Sequence, residues 1–171
     1  MRASLRLGFL TLVMASTIGC DRVTKHLATA LLADKPMQSF LADSVRLVYA
    51  ENTGGFLSLG AGLPPVVRTS LFTVTTGLVL VVLLVTLLRS RWSLWRALGL
   101  ALLVAGGVSN WVDRVVRGSV VDFVNVGVGW LRTGIFNFAD VAIMLGITLF
   151  VLSELSSRAT RNKELERTRD G

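Results

Sequence analysis

The chain has 171 residues, of which 52% are hydrophobic, and a formal net charge of +7 at pH 7. Its length allows one domain, and this composition with long apolar runs is not typical of a soluble globule. Because the chain has one Cys and one His, the sequence excludes an internal disulfide, a Cys-based metal cluster and an HExxH site. No nucleophile motif accompanies His26, which argues against Ser-His-Asp and Cys-His catalysis.

Four apolar segments predict transmembrane helices. Crossing the hydrocarbon core takes about 20 apolar residues, and four segments come close to that length: 7–24, 66–88, 94–112 and 135–152. Outer loops are predicted at about 34–65 and 113–134. The sequence therefore predicts a single four-helix membrane domain over residues 1–156, followed by a charged cytoplasmic tail over 157–171.

The positions of the basic residues decide how the net positive charge is interpreted. In a soluble protein this charge would suggest a nucleic-acid partner. Most of them precede the first span, join the second to the third, or follow the fourth: Arg2, Arg6, Arg89, Arg91, Arg96, Arg158, Arg161, Lys163, Arg167 and Arg169. In a four-span protein these segments share one side, which the positive-inside rule assigns to the cytoplasm. We expect both termini in the cytoplasm, the phospholipid bilayer as partner, and no nucleic acid.

The first apolar segment contains Thr17-Ile18-Gly19-Cys20, which is similar to the cleavage site of a lipoprotein signal peptide. Three further spans follow, however, and Asp21 and Lys25 have the spacing of a pair on one continuing helix. We therefore expect an uncleaved first transmembrane helix.

Two strand-like runs lie in the two outer loops. The segments Ser44 to Tyr49 and Ser119 to Val128 alternate well enough for strands. We predict that they pair into a small sheet on the outer face, with Asp122 on it.

Asp122 and Asp140 flank the last apolar segment. Carboxylates at membrane-spanning segments are costly, which makes them candidates for function. Asn137 and Asp140 also have the spacing of a helix N-cap with its third-position acid. Capping would explain Asp140 without any chemistry, but it does not explain Asp122, so for these residues alone both interpretations stay open.

The distance between the two carboxylates separates these interpretations. Two unit charges 4 Å apart repel by about 4 kcal/mol at an effective dielectric constant of 20, which is roughly three pKa units. One carboxyl would then hold a proton near neutral pH while the other stays ionised. Such a pair suits peptide hydrolysis without a metal, because the ionised group activates water and the protonated group donates to the carbonyl oxygen.

The end of the third span combines small and polar residues. Gly106 and Gly107 allow close helix packing, whereas Asn110, Asp113 and Arg114 fall on one helical face. An Arg at that depth is expected to pair with a carboxylate. This face is predicted to help build a site.

Five ordered blocks between residues 21 and 152 give the chain a resemblance to a known family. They are Asp21-Arg22-Val23-Thr24-Lys25, Asn52-Thr53-Gly54, Gly106-Gly107 through Asn110 to Asp113-Arg114, Val120-Val121-Asp122-Phe123, and Phe136-Asn137-Phe138-Ala139-Asp140. Each block is weak alone, but together and in this order they are specific. The chain resembles the lipoprotein signal peptidases, the signal peptidase II family of bacterial membrane aspartyl proteases.

The resemblance implies an all-α membrane protein with a small β element: four transmembrane helices and a small extracytoplasmic β-sheet cradle. It implies an inner-membrane endopeptidase with its active site on the outer side. The enzyme would remove signal peptides from diacylglyceryl-modified prolipoproteins, cutting just before the lipidated cysteine. It further implies no metal or cofactor, and sensitivity to the peptide antibiotics that inhibit the family.

The resemblance also assigns residues. Asp122 and Asp140 match the catalytic dyad. The positions that would shape and support the site are Asp21, Lys25, Asn52, Gly54, Asn110, Asp113, Arg114 and Asn137. Among these, Arg114 and the amides of Asn52 and Asn110 are expected to hold the substrate backbone or its lipidated end.

The chain departs from the family pattern at two places. After Gly54 the family usually continues with two alanines, then Phe and Ser, whereas here the sequence is Gly55-Phe56-Leu57-Ser58. The shifted aromatic is expected to reshape the substrate groove, with altered substrate preference or inhibitor sensitivity. In the Asp21 to Lys25 block, Arg22 stands where the family often has Gln, and Thr24 replaces a common Ser.

Two other classes of protein remain open on the sequence. A metal-dependent membrane transferase acting on lipid headgroups would use aspartates to bind Mg²⁺, but it usually wants several clustered carboxylates, and only Asp113, Asp122 and Asp140 are available. The other alternative is a catalytically altered relative that binds prolipoproteins without cutting them.

Overall fold

The structure is a computed structural model that describes residues 3–54, 62–64, 66–67, 70–90 and 92–169. The departure at Gly55-Phe56-Leu57 lies outside the described residues, so its expected effect on the substrate groove stays a prediction.

Four α-helices are described: α1 (Ala3–Leu32), α2 (Thr76–Arg89), α3 (Leu94–Arg117) and α4 (Phe138–Arg169). A π-helical segment, Ser70–Thr75, leads into α2. In the described part of the chain, three helical stretches are long and apolar enough to cross a membrane: Ser4–Leu32, Leu94–Arg117 and Phe138–Asn162. The predicted second span corresponds to a shorter apolar stretch, Thr73–Arg89.

Three helices extend beyond the predicted spans for local reasons. α1 continues past residue 24 because Lys25 and Asp21 form an i, i+4 ion pair of 2.8 Å on it. α3 continues to Arg117 and ends at Gly118, whose φ of 73° is the left-handed conformation that closes many helices. α4 continues through most of the predicted tail, since no Gly or Pro occurs there before the final residue.

The strands form one antiparallel sheet in the order β1 (Gln38–Phe40), β2 (Val45–Asn52), β3 (Val120–Val128) and β4 (Leu131–Arg132). The predicted pairing of the two outer-loop strands, β2 and β3, is confirmed. In their register Ala50 faces Asp122 and Asn52 faces Val120. The pairing therefore brings the amide at the end of β2 beside the carboxylate of β3.

Helix α3 lies at the centre, with α1, α2 and α4 packed on it. Its core positions are small, and Ala97, Ala101 and Ala105 are completely buried. The predicted close packing at Gly106 is confirmed, because a Cβ there would lie 2.5 Å from the carbonyl oxygen of Ala139. The backbone at the start of α4 thus rests directly on α3, which fixes where Asp140 lies.

Gly106→Ala is expected to lower the melting temperature in detergent, although alanine is the better helix former. The added methyl meets a backbone oxygen that has no rotamer to change, and overpacking of this kind costs about 1–3 kcal/mol. Gly19→Ala is the matched control, because nothing lies within 4 Å of a Cβ at that helical position. Equal melting temperatures for the two variants would contradict the close contact between α3 and α4.

Candidate active site

Asp122 lies on β3 and is 3% exposed. Its two carboxylate oxygens accept hydrogen bonds from different amides: Oδ2 from Asn52 Nδ2 at 3.0 Å and Oδ1 from Asn137 Nδ2 at 2.7 Å. Burial raises the pKa of Asp122 to about 6, and the nearby charge of Asp140 acts in the same direction. The two amide hydrogen bonds act against this rise, so burial is the dominant cause.

Asp140 lies in the first turn of α4 and forms a reciprocal cap with Asn137. Its Oδ2 accepts from the backbone N–H of Asn137 at 3.1 Å, and its own N–H donates to Asn137 Oδ1 at 3.0 Å. The capping interpretation is therefore confirmed. Capping does not account for the remaining oxygen, because Oδ1 accepts from Asn110 Nδ2 of α3 at 2.9 Å.

Asn137 connects the two aspartates. Its side chain is 1% exposed; the amide nitrogen donates to Asp122, while the amide oxygen accepts from the backbone of Asp140. The same nitrogen also lies 3.2 Å from Asn110 Oδ1. One buried amide thus touches both residues, which brings the strand carboxylate and the helix carboxylate to the same place.

A buried ammonium group lies behind this pair. Lys25 is 4% exposed, and its Nζ donates to three oxygens: Asn110 Oδ1 at 2.7 Å, Asp113 Oδ2 at 2.8 Å and Asp21 Oδ2 at 2.8 Å. An ammonium has three donors, so this buried cation is fully satisfied. The arrangement also orients the Asn110 amide, whose nitrogen then points to Asp140.

Asp21 joins three helices. It is completely buried on α1, its Oδ1 accepts from the backbone N–H of Ala139 at 2.9 Å, and its Oδ2 accepts from Ser109 Oγ at 2.6 Å. The first turn of a helix has N–H groups without intrahelical partners, and Asp21 satisfies one of those of α4. A side chain of α1 therefore holds the helix end that carries Asp140.

The two charged residues at the end of α3 have different partners. Asp113 binds Lys25 and also Arg22. Arg114, for which a carboxylate partner was expected, instead donates to the carbonyl oxygen of Gly54 from Nη2 at 3.0 Å and from Nε at 3.3 Å. Consecutive helical residues point in directions about 100° apart, which explains why Asp113 faces α1 whereas Arg114 reaches the turn after β2.

Two contacts in this region were not anticipated from the sequence. Arg22 binds both the carboxylate of Asp113 and the backbone oxygen of Ser109, and Ser109 itself binds Asp21. Arg22 was identified only as a departure from the family pattern. Arg22 carries a positive charge where the family often has an uncharged Gln, and it follows the motif carboxylate Asp21 in the sequence. This charge was the signal in the sequence that Arg22 forms an ion pair.

An apolar cleft of about 440 Å³ opens beside Asp140. Its wall follows the first turns of α4 and the segment before it, and consists of Thr133, Gly134, Phe136, Asp140, Val141, Met144, Leu145 and Thr148. Within the part of the chain that the structure describes, no three side chains of His, Cys, Asp or Glu converge as metal ligands. The site therefore offers paired carboxylates held by amides, next to an apolar surface.

Comparison with known proteins gives consistent results. A family model described as signal peptidase (SPase) II matches residues 13–156. The lipoprotein signal peptidase of Enterococcus faecalis is 30% identical over 88% of this chain and 90% of its own length. That of Streptococcus pneumoniae is 30% identical over 85% of this chain and 91% of its own length.

A solved bacterial membrane enzyme has the same fold, with a TM-score of 0.75 at 24% sequence identity, covering 90% of this chain and 91% of that one. The family match spans all the elements that build the site, from α1 to α4. The chain therefore belongs to the signal peptidase II family, the bacterial membrane peptidases that process lipoproteins.

Proposed function

We propose that this chain is an aspartyl endopeptidase that removes signal peptides from diacylglyceryl-modified prolipoproteins, cutting just before the lipidated cysteine. Asp122 and Asp140 are its catalytic dyad. The observation that carries this proposal is the Asn137 side chain, which touches both residues within a buried amide network. A helix cap alone does not need Asp122, whereas a proton-sharing pair does.

The two carboxylates have different roles. Asp122, whose pKa is raised to about 6 by burial, is the proton donor to the scissile carbonyl oxygen. Asp140 is the general base, because it lies at the positive end of the α4 dipole and accepts the N–H of Asn137, two interactions that offset part of the effect of its burial. This division follows the pattern in which two carboxylates take opposite roles in different surroundings.

The reaction is a direct attack of water on the peptide carbonyl carbon. Asp140 takes one proton from water while Asp122 gives its proton to the carbonyl oxygen, which forms a tetrahedral diol. When the C–N bond breaks, Asp140 gives its proton to the cysteine nitrogen, and one hydroxyl of the diol gives a proton back to Asp122. The products are the signal peptide with a new carboxyl group, which ionises in water, and the lipoprotein with a free N-terminal cysteine, and the dyad again holds one proton.

The supporting residues hold the dyad. Asn52 and Asn110 each orient one aspartate, a role different from the substrate binding expected from the resemblance. Asp21, Lys25 and Asp113 form the ionic network behind them. Arg114 holds Gly54 and with it the turn that follows β2. The apolar cleft beside Asp140 receives the apolar part of the substrate.

We further propose four spans, with both termini in the cytoplasm and the dyad on the outer side. The π-helical segment and α2 have six and 14 residues, enough at 1.5 Å per residue for about 30 Å, the thickness of the hydrocarbon core. Arg6 lies 15 residues before Asp21 on α1, which places it about 22 Å from the site layer along the helix. The basic helix ends and the dyad are therefore on opposite faces.

Cleavage of a purified precursor tests this function. The enzyme in detergent is expected to cut a diacylglyceryl-modified precursor to a product that begins with the cysteine, and to leave the unlipidated precursor intact. A metal chelator is expected to have no effect on the rate. Loss of cleavage with chelator, restored by Mg²⁺, would contradict the metal-free dyad. Mg²⁺-dependent transfer of a lipid headgroup without peptide cleavage would favour the transferase, and precursor binding without any product would favour a binding-only relative.

The same assay across pH tests the division of roles. Asp122 holds its proton below a pKa of about 6 and loses it above, so the rate is expected to fall as pH rises through that range. Protonation of the general base is expected to lower the rate at the acid end. The two limbs belong to the coupled pair and not to either residue alone. A flat profile from pH 4 to 9 would contradict a proton-sharing dyad.

A further inference from the structure

A second cleft lies at the other end of the helices, between α1 and α2. Both helices pack on α3, and the space between them has a volume of about 700 Å³, within the range of ligand-binding cavities. Its floor belongs to a hydrophobic cluster that includes the buried residues Leu10 and Leu87. The cleft therefore has an apolar base inside a membrane protein.

Two arginines from different helices line this cleft, Arg6 of α1 and Arg89 of α2. Neither has a carboxylate within salt-bridge distance among the described residues, whereas Arg96 nearby in sequence pairs with Glu154 at 2.7 Å. Two cations that no described carboxylate neutralises, above an apolar floor, attract a ligand that is anionic at one end and apolar at the other.

We propose that this cleft binds one anionic phospholipid. The phosphate of the headgroup lies between Arg6 and Arg89, and an acyl chain follows the apolar floor past Leu10 and Met14. Basic pockets between transmembrane helices on the cytoplasmic side are typical sites for anionic headgroups. This site lies far from the dyad and does not depend on it.

Charge complementarity favours a lipid over a peptide occupant. The segment that precedes the apolar region of a signal peptide is positively charged, so the substrate's own N-terminus is repelled by Arg6 and Arg89. A phospholipid with a zwitterionic headgroup offers no net negative charge. The anionic lipids of the inner leaflet offer both a negative charge for the two arginines and an acyl chain for the apolar floor.

Lipid retention measured by native mass spectrometry tests this site. The full chain is released from micelles that contain dioleoyl phosphatidylglycerol or dioleoyl phosphatidylcholine, and one tightly held phosphatidylglycerol is expected. The double variant R6Q/R89Q is expected to bind it about 30-fold more weakly, which corresponds to about 2 kcal/mol for two basic side chains. The variant R6K/R89K keeps the charge and is expected to retain most of the affinity.

The matched control is R158Q/R161Q, which removes two exposed arginines from the last part of α4, outside the cleft. It is expected to hold the lipid as the wild type does, and all these variants are expected to cleave precursor normally. Equal affinity for the two lipids, or undiminished binding by R6Q/R89Q, would overturn the proposal. Displacement of the lipid by millimolar inorganic phosphate would also overturn it, because the acyl chain would then contribute nothing.

Discussion

Asp122→Asn and Asp140→Asn are each expected to slow cleavage of a lipidated precursor by about 10²- to 10⁴-fold, the range for loss of a general acid or base. An amide cannot take a proton from water or give one to a carbonyl oxygen at neutral pH. The rate is measured from the gel shift between precursor and product. Full cleavage by either variant would contradict the dyad.

Asp43→Asn is the matched control for these substitutions. Asp43 is an aspartate as well, but its pKa lies well below its usual range, because Arg46 and Ser39 donate hydrogen bonds to it. It lies between β1 and β2, where its Oδ2 pairs with Arg46 and Arg132. It touches no member of the dyad network in the described structure, so its variant is expected to keep the wild-type rate.

The stability of Asp122→Asn separates loss of chemistry from loss of fold. A buried carboxyl with a pKa above its usual value of 3.8 stabilises the folded state only while it is protonated. The contribution of Asp122 to the stability of the wild type is therefore expected to fall as pH rises from about 4 to above 6. Relative to the wild type, the Asn variant is expected to gain about 2–3 kcal/mol in free energy of unfolding between pH 4 and pH 8. An unchanged difference across this range would contradict the raised pKa.

Lys25→Met is expected to lower the free energy of unfolding by about 3–5 kcal/mol, because it leaves two buried carboxylates without their shared cation. Asp21 would retain Ser109 and the N–H of Ala139, and Asp113 would retain Arg22. Cleavage is also expected to fall, since Asn110 loses the contact that orients it toward Asp140. Chemical denaturation in micelles, together with the cleavage assay, measures both effects.

Lys35→Met is the control, because Lys35 is exposed just after α1. A second variant tests the physical cause: adding Asp21→Asn to Lys25→Met removes one of the uncompensated charges and is expected to recover part of the lost stability. If Lys25→Met is as stable as Lys35→Met, the ionic network does not hold the helices together.

Long periodic segments were predictable, whereas short or interrupted ones were not. The strands β2 and β3 and the three long helices follow from alternation and from apolar length. β1 and β4 have three and two residues, too few for a periodic pattern, and they exist because longer neighbours offer them an edge. The second predicted span contains a change from π-helix to α-helix, which hydropathy does not register.

The sequence by itself determined the family, the membrane character and the residue types of the site, because each depends on local pattern or on motifs in a fixed order. It left Asp140 equally explained as a cap or as a catalyst. Tertiary structure decided that it is a cap and also shares Asn137 with Asp122. The physical reason is that the strand and helix meet only through the β2–β3 register and the glycine contact between α3 and α4. Neither contact is encoded in any one segment, so Asp122 and Asp140 come together only in the packed fold.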